Sequence, residues 1–544
     1  MSEKRVGLSE RIVFVVSLVW ALLCATECFA DVKLPAVISD NMVIQREMKV
    51  PIWGWAEPGE TVVIGLGPYS ILGTLDVTGG GDTVVISPGL FSEAWSAKAD
   101  KDGKWVAKIG PFNAGGPYQM TIKTVKSKHT TTIKNILVGE VWVASGQSNM
   151  EWSVARSVDA EQEIASANYS NIRVFKVEKT FADAPQKDCS GSWLICTPET
   201  VAGFSAVAYF FGRELHHELN VPVGLIQTCW GGTPAEAWTR HEVLAADTES
   251  RPIVERFEQA WSNYLQKMDD YSGKLCDWLS AAKQAHVKGG HTPEEPKKPG
   301  SPRRSKAPSQ LYNAMIAPLI SYGIRGAIWY QGESNVSRAY QYRKLFPAMI
   351  GNWRNDWGQG DFPFYYVQIA PFRYGEEFAG AELREAQLMA LSLPNTGMAV
   401  TMDVGDVGDI HPKNKQDVGR RLALWALAKT YGREGIVYSG PIYRSMRIEG
   451  DKIRLFFDHV GGGLVAKGGP LTHFTIAGKD RNFVEVKAEI DGDTILVSSD
   501  KIKKPVAVRF AWSNTAVPNL FNRAGLPASS FRTDDWPGVT VNEK

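Results

Sequence analysis

The sequence predicts an α/β fold in which a doubly wound parallel sheet is flanked by an N-terminal and a C-terminal all-β, sandwich-like domain. Between residues 136 and 432, apolar strands alternate with amphipathic helices, and each crossover is long enough to join parallel strands. On either side of that region, short runs in which apolar and polar residues alternate are separated by Gly and Pro, as in β-sandwiches. Polar or glycine-rich turns follow four of the central strands, at the sheet edge where ligands collect.

Residues 1–30 have the pattern of an export signal. Basic residues precede an apolar run over 12–24, and a small-residue exit ends at Ala30. We expect cleavage after Ala30 and therefore a secreted or periplasmic protein. The apolar run is too short for a membrane span and no longer one follows it, so we expect no stable membrane insertion.

The charge balance excludes one class of partners. The chain has 60 Lys and Arg residues against 59 Asp and Glu residues. It therefore has no global field that would attract nucleic acid or an anionic membrane.

Four cysteines lie beyond the predicted cleavage site: Cys189, Cys196, Cys229 and Cys276. Cys189 and Cys196 are close enough in sequence to close a small loop in an oxidising compartment, but spacing alone does not establish a disulfide. Cys229 follows an apolar strand and is predicted to be a packed thiol. The cysteines show no metal-ligand spacing, and the sequence predicts neither a metal nor an organic cofactor.

The two predicted β domains cover residues 31–135 and 433–544. Both contain short runs in which apolar and polar residues alternate, as expected for half-buried strands. In the N-terminal domain these runs lie at 50–55, 61–65, 104–109 and 118–123. In the C-terminal domain they lie at 452–457, 494–497 and 507–512.

The predicted α/β domain covers residues 136–432. Its strands are apolar, and we place them at 136–144, 222–228, 324–330, 364–370 and 397–402. Its helices are amphipathic, and we place them at 204–219, 309–320, 340–353, 382–391 and 414–429.

One insertion, residues 245–307, interrupts this alternation. A charged helical stretch passes into a Lys-, Pro- and Gly-rich segment from Lys288 to Ala307. That segment has too few apolar residues to offset the entropy of ordering it, so we expect it to be mobile.

A serine follows the first central strand. The strand stops at Ser145-Gly146-Gln147, which places Ser148 on the turn beyond its carboxyl end, where a serine can act as a nucleophile. A Ser-Asn pair at such a place more often only caps a helix. A second stretch, 403–412, favours the catalytic interpretation because it brings His411 and several carboxylates to the end of the last strand. His411 is followed by Pro412, which suits the first position of a helix.

Two further turns offer donors for the oxyanion that develops during acyl transfer. Gly231 and Gly232 allow the backbone to approach a bound carbonyl, although a tight turn explains two glycines almost as well. Gln331 follows another central strand, and its side-chain amide is a candidate donor. Gln147 and Asn149 flank the serine and are predicted to contact the substrate.

These turns together resemble those of the sialate O-acetylesterase family, a branch of the SGNH hydrolases. The likeness covers nearly the whole chain after residue 30 and implies an SGNH-type α/β domain. It implies that Ser148 is the nucleophile and His411 the base, and that Gly232 (or Gly231) and Gln331 occupy the oxyanion positions. The matching stretches are 146–150, 230–234 with Glu236-Ala237-Trp238, 330–335 and 409–412.

The acid that orients the histidine departs from the superfamily pattern, which places it three residues before the histidine. Gly408 stands at that position here. Asp409 lies two residues before His411 and Asp406 five before it. Related acetylesterases suggest that Glu333 of the Gln-Gly-Glu turn serves instead. We favour Asp409, with Glu333 next and a Ser-His dyad assisted by backbone as the other alternative.

The predicted activity is that of a serine esterase that removes O-acetyl groups from O-acetylated sialic acids through an acetyl-serine intermediate. Acetylxylan or another plant polysaccharide is the alternative substrate, because no motif identifies the sugar. The alternative of a different class is a non-catalytic carbohydrate-binding protein on a hydrolase scaffold. The intact Ser148, Gln331 and His411 argue against that alternative.

Overall fold

The computed structural model describes residues 32–68, 76–78, 85–87, 93–126, 129–302 and 304–543. The predicted export signal lies outside these residues. The described chain forms two units: one comprises the described residues of 32–35, 51–109 and 117–135, and the other comprises 36–50, 110–116 and 136–543. The predicted domain boundaries at 135 and 432 stay predictions.

The strands are numbered in chain order. They are β1 (Val43–Gln45), β2 (Val50–Trp55), β3 (Thr61–Pro68), β4 (Asp76–Thr78), β5 (Val85–Ser87), β6 (Glu93–Lys98), β7 (Lys104–Ile109), β8 (Gly115–Thr124), β9 (Thr131–Gly146), β10 (Tyr169–Val177), β11 (Gly191–Cys196), β12 (Val223–Cys229), β13 (Gly326–Tyr330), β14 (Phe364–Val367), β15 (Thr396–Ala399), β16 (Ile442–Glu449), β17 (Lys452–Asp458), β18 (Leu464–Ala466), β19 (Phe474–Ala477), β20 (Phe483–Glu485), β21 (Lys487–Asp491), β22 (Thr494–Ser498), β23 (Ala507–Phe510), β24 (Leu520–Asn522) and β25 (Phe531–Arg532).

The α-helices are α1 (Ser148–Glu151), α2 (Ala160–Ala165), α3 (Pro198–Val201), α4 (Ala206–Leu219), α5 (His241–Ala246), α6 (Arg251–Val287), α7 (Ala339–Trp357), α8 (Ala379–Met389) and α9 (Lys415–Trp425). Short 3₁₀ turns lie at Val154–Arg156, Ala235–Trp238, Arg304–Lys306, Ala317–Leu319, Glu333–Arg338 and Ala390–Ser392, and π turns lie at Tyr312–Ile316 and Ala426–Thr430. No helix in the described ranges has the length and apolarity needed to cross a bilayer.

The first unit is built from antiparallel strands. β3 pairs with β6 on one side and with β8 on the other, and β2 pairs with β7. β7 shows the alternation that the sequence predicts, because Trp105, Ala107 and Ile109 are buried and the residues between them are exposed.

The second unit contains a mixed central sheet. Its strand order is β11–β10–β12–β9–β13–β14–β15, and neighbours are parallel except for the antiparallel pair β10–β11. The five predicted strands correspond to β9, β12, β13, β14 and β15. β10 and β11 were not predicted. Polar residues within β10, such as Arg173 and Lys176, interrupt the apolar run by which a buried strand is recognised in a sequence.

Both faces of this sheet are covered. On one face Trp142 of β9 contacts Phe211 of α4 edge-on, with ring centroids 5.1 Å apart, and stacks on Tyr365 at 5.8 Å. On the opposite face Trp329 of β13 meets Trp353 of α7 at 5.8 Å. In the parallel register Trp142 lies opposite Gly326, three residues before Trp329, so the two indoles point to opposite sides.

The predicted helices are present with changed ends, and one differs in kind. The stretch predicted as a helix over 309–320 contains a π turn, Tyr312–Ile316, followed by the 3₁₀ turn Ala317–Leu319. Pro318 explains the change, because it has no N–H with which to continue the α-helical ladder.

The insertion consists of α6 followed by chain without regular structure from 290 to 302. The indole N–H of Trp278 in α6 donates to the carbonyl of Pro293 at 2.8 Å, so the segment after α6 folds back against that helix. The mobility of the segment 288–307 stays a prediction.

All-β sheets follow residue 441, as the sequence predicts. Antiparallel sheets form in the orders β16–β17–β22–β21 and β20–β19–β23–β25, and β18 pairs with β24. These strands belong to the same unit as the central sheet.

Candidate active site

The turn that carries Ser148 requires a glycine. Gly146 ends β9 with φ +137°, and a Cβ at this position would overlap the carbonyl oxygen of Tyr330 on β13. Gln147 N donates to that same carbonyl at 2.9 Å. The chain then enters α1 at Ser148. The nucleophile predicted from the sequence therefore stands where the strand ends and a helix begins.

Ser148 and His411 are in hydrogen-bond contact. The distance from Ser148 Oγ to His411 Nε2 is 2.9 Å, although 263 positions separate the two residues. His411 precedes α9, which begins at Lys415, one residue after the predicted start at 414 and three residues after Pro412, which the sequence suggested as a first helical position. The later start follows from Asn414, whose side chain accepts from Asp417 N and caps the helix.

His411 has two neighbours that set its orientation and charge. Asp409 Oδ1 is 3.4 Å from His411 Nδ1 and accepts from His411 N at 2.9 Å. The Trp152 indole stacks on the imidazole with centroids 5.0 Å apart and planes 20° apart. Burial lowers the pKa of His411, and the Asp409 charge opposes that shift. The imidazole is therefore neutral at neutral pH and able to accept a proton.

The other two candidate acids have different partners. Asp406 Oδ1 accepts from Gly408 N at 2.8 Å. Glu333 Oε1 accepts from the side-chain amide of Asn149 at 2.6 Å. Of the three carboxylates, Asp409 is the one that the structure places beside the imidazole.

Asn149 lies at the centre of a buried polar network. Besides Glu333, its Nδ2 donates to Ile410 O at 3.0 Å, and its Oδ1 accepts from Lys415 Nζ at 2.6 Å. Asn149, predicted to contact substrate, thus has a full set of intramolecular partners.

Lys415 was missed by sequence reasoning. It is fully buried, and burial lowers its pKa to about 7, opposed by the charges of Glu333 and Asp409. Its position in the first turn of a helix was the available signal. A cation there is repelled by the positive end of the helix dipole, so a lysine at this position indicates a compensating interaction elsewhere.

Glu333 is partly exposed as a residue, but its carboxyl group is enclosed and Oε2 has no hydrogen-bond partner in the described chain. Desolvation raises the pKa of Glu333, and Asn149 and the Lys415 charge oppose that shift. Glu333 and Lys415 thus form a pair of opposite charges bridged by one amide.

The glycine turn after β12 lies close to Ser148. A Cβ on Gly231 would lie 3.2 Å from Ser148 Cβ. Gly231 N is already engaged, because it donates to Glu151 Oε2 at 2.7 Å. Gly232 has φ +71° and open space beside it. In the described part of the chain, the N–H groups of Ser148 and Gly232 have no intramolecular acceptor.

Gln331 is fully buried, and its side chain is occupied. Its amide donates to Asn335 Oδ1 at 2.6 Å and to Thr233 O at 3.3 Å, and its oxygen accepts from Tyr342 Oη at 3.0 Å. Gln147 turns toward the same loop, where its Oε1 accepts from Ser334 N at 3.1 Å. Both amides therefore brace the turn after β13.

The thiols lie apart from this chemistry. Cys189, Cys196 and Cys229 are buried and unbonded, and burial raises the pKa of each to about 12. The packed state predicted for Cys229 is confirmed. Cys276 is exposed on α6.

A family model matches two stretches of the chain. The model for the carbohydrate esterases known as sialic acid-specific acetylesterases aligns with residues 138–271 and 295–428. The match is interrupted between 271 and 295, inside the predicted insertion.

Relatives and a solved structure agree with the family model. The chain is 30% identical to a sialate O-acetylesterase of Mus musculus, over 76% of this chain and 76% of that protein. It is 28% identical to one of Pongo abelii, over 94% of each. A carbohydrate acetylesterase from Xanthomonas citri superposes with a TM-score of 0.75 at 35% identity, covering 93% of this chain and all of the other. The chain therefore belongs to the sialate O-acetylesterase family and is a carboxylic ester hydrolase.

Proposed function

We propose that this protein hydrolyses O-acetyl groups on sialic acids, with Ser148 as nucleophile and His411 as general base. The observation that carries the proposal is the 2.9 Å contact between Ser148 Oγ and His411 Nε2 at the carboxyl edge of the sheet. The names of the relatives, sialate O-acetylesterases of mouse and orangutan, support the substrate class.

The first half-reaction forms an acetyl-serine. Ser148 Oγ bonds to the acetyl carbon while its proton passes to His411 Nε2, which gives a tetrahedral oxyanion. The oxyanion collapses by breaking the bond between the acetyl carbon and the sugar oxygen. That oxygen takes the proton from Nε2 and leaves as a hydroxyl.

The second half-reaction releases acetate. Water attacks the acetyl carbon and gives a proton to His411, and the bond to Ser148 Oγ then breaks as Oγ recovers that proton. Asp409 faces Nδ1, so we assign it to hold the ring and to stabilise the transient imidazolium.

We assign the oxyanion to the N–H groups of Ser148 and Gly232, because both lack an intramolecular acceptor within the described ranges. Gln331, assigned to this role by resemblance, must release Asn335 or Thr233 before it can donate to a substrate. Its participation stays a prediction.

We propose that the central region is a doubly wound sheet of the SGNH type. The parallel run β10–β12–β9–β13–β14–β15 supports this proposal, as do the aromatic clusters that cover both of its faces. We likewise propose that the protein acts outside the cytoplasm. Terminal sequencing of the protein from its native host, with Asp31 as the expected first residue, tests that proposal.

The decisive experiment combines acetate release with trapping of the intermediate. The parent protein should release acetate from O-acetylated sialic acid, and acid quenching followed by mass spectrometry should show one acetyl group on the peptide that contains Ser148. Ser148→Ala should show neither, whereas Ser170→Ala, an exposed serine of β10, should match the parent. Acetate release by folded Ser148→Ala at the parent's rate would contradict the mechanism. Comparison with acetylated xylan tests the alternative substrate.

A further inference from the structure

A cavity of about 640 Å³ is lined by Glu151, the last residue of the short helix that begins at Ser148. Its walls come from the carboxyl ends of β10 and β12, the start of β11 and the turn after α1. This volume lies within the range of sites that enclose small-molecule ligands.

The cavity wall is linked to Ser148 and to His411 through neighbouring residues. Glu151 lines it and accepts from Gly231 N, and a Cβ on Gly231 would be 3.2 Å from both Glu151 Oε2 and Ser148 Cβ. Arg156 also lines it, and its guanidinium lies 4.2 Å above the ring of Trp152, whose indole stacks on His411. Trp152 therefore lies between Arg156 of the cavity wall and His411, and Gly231 lies close to both Glu151 and Ser148.

The cavity contains three cationic side chains. Lys179 forms an ion pair with Glu151. Arg156 donates through Nε to Ser153 Oγ at 3.3 Å, and Lys176 donates weakly to Gly203 O at 3.4 Å. Neither Arg156 nor Lys176 has a carboxylate partner in the described part of the chain. Two acidic residues line the cavity: Glu151, which pairs with Lys179, and Glu178.

We propose that Arg156 and Lys176 bind the carboxylate of the sugar acid while its O-acetyl group lies at Ser148. The proposal rests on the proposed function and specifies how its substrate class is selected. A guanidinium with free N–H groups pairs with a carboxylate through two parallel hydrogen bonds, and an ammonium adds a point charge.

This arrangement distinguishes sialic acids from neutral acetylated sugars. A sialic acid carries a carboxylate that xylose lacks, so a neutral substrate leaves Arg156 and Lys176 without a carboxylate partner. Sites built to bind a polar group reject analogues that lack it, because the site's own groups are then left unpaired. Selection by Arg156 and Lys176 therefore favours sialic acids over acetylxylan.

The test compares O-acetylated sialic acid with its methyl ester, which keeps the acetyl group and loses the charge. The parent should deacetylate the free acid with a kcat/KM about tenfold above that of the ester, the size expected for one charge-assisted contact. Lys176→Gln and Arg156→Gln should each bring the ratio of the two kcat/KM values toward one. Glu178→Gln, which removes the opposing charge, should raise it. Lys344→Gln, an exposed lysine of α7 outside the cavity, should leave it at the parent's value.

Equilibrium binding separates this inference from the proposed function. Calorimetry with unacetylated sialic acid and its methyl ester needs no turnover, so it reports on the cavity even if acetate release fails. The inference predicts tighter binding of the acid by the parent and loss of that difference in Lys176→Gln. If the parent deacetylates the acid and the ester with equal kcat/KM and also binds them equally tightly, the inference is overturned. An acid preference that persists in both folded variants overturns the assignment to these residues.

Discussion

Asn149 donates a hydrogen bond to the backbone oxygen of Ile410 at 3.0 Å. The residue after Ser148, the proposed nucleophile, is thereby joined to the residue before His411, the proposed base, and the same amide nitrogen also binds Glu333. The relative position of Ser148 and His411 thus depends on one side chain that touches neither of their reacting atoms.

Asn149→Ala should therefore lower kcat by roughly a hundredfold, because small displacements of catalytic groups have effects of that order. KM should change much less, since the side chain is committed to intramolecular partners. Steady-state kinetics on p-nitrophenyl acetate measures both quantities, with Asn168→Ala as the control on an exposed loop. A rise in KM at constant kcat would instead indicate the substrate contact predicted from the sequence.

The acid of the catalytic group can be identified by three substitutions made side by side. Asp409→Asn should lower kcat/KM more than Asp406→Asn or Glu333→Gln, because Asp409 faces His411 Nδ1. We expect a loss of roughly a hundredfold, less than for a fully enclosed triad acid, since 42% of the Asp409 side chain is exposed. A near-silent Asp409→Asn would transfer the role to whichever of the other variants fails.

The pH dependence of kcat/KM should report the environment of His411. Burial lowers the pKa of His411 from its ordinary 6.5, so activity should persist below pH 6.5 and fall only on further acidification, as the imidazole becomes protonated. Trp152→Ala admits water to the ring and should move this acid limb to higher pH. Trp278→Ala on α6 is the matched control, and an acid limb that is the same in all three proteins would show that Trp152 does not desolvate the base.

The buried charges of Lys415 and Glu333 should be coupled in stability. Lys415→Met leaves the Glu333 carboxyl without its cation and should lower the free energy of unfolding by about 3 kcal/mol, as when one partner of a buried ion pair is removed. Glu333→Gln in addition should recover part of the loss. Urea denaturation of the single and double variants at pH 6, below the pKa of Lys415, tests this coupling, and strictly additive changes would contradict it.

The insertion should be the first site of tryptic cleavage. Residues 288–302 are largely exposed, lack regular structure and include Lys297 and Lys298. A single cut there should preserve hydrolysis of a small acetyl ester, because the catalytic turns lie on either side of the insertion. Replacing both lysines by glutamine should slow that cleavage. Loss of activity on a single cut would show that the segment belongs to the site.

Strand-end turns were the part of the site that the sequence could predict. Ser148 and His411 follow apolar runs, and the parallel sheet brings such ends to one edge. Gln331 shows the limit of this reasoning: its position was predicted, but its hydrogen bonds to Asn335 and Thr233 depend on tertiary contacts. Trp152 was missed for the same reason, since nothing local marks an indole as stacked. Lys415 was missed although its place in the first turn of a helix was a local signal.

The elements of the fold that the sequence predicted are likewise those with a clear local pattern. Long apolar strands such as β9 and β12 are evident in the sequence. Arg173 and Lys176 interrupt β10, and β11 begins with Gly191 and Ser192, so neither was predicted. The π and 3₁₀ turns within the stretch predicted as an α-helix over 309–320 were also missed, although Pro318 was a local signal for them.

Cys276 on α6 is exposed, whereas Cys189, Cys196 and Cys229 are buried, so α6 is suited to carry a reporter group. Thiols with a pKa near 12 are almost entirely protonated at neutral pH and react slowly with alkylating agents. Cys276 is the exposed thiol of the described chain, so a maleimide fluorophore should attach there without any cysteine being removed. Its anisotropy would then follow the insertion in solution during turnover, while the chemistry at Ser148 proceeds unlabelled.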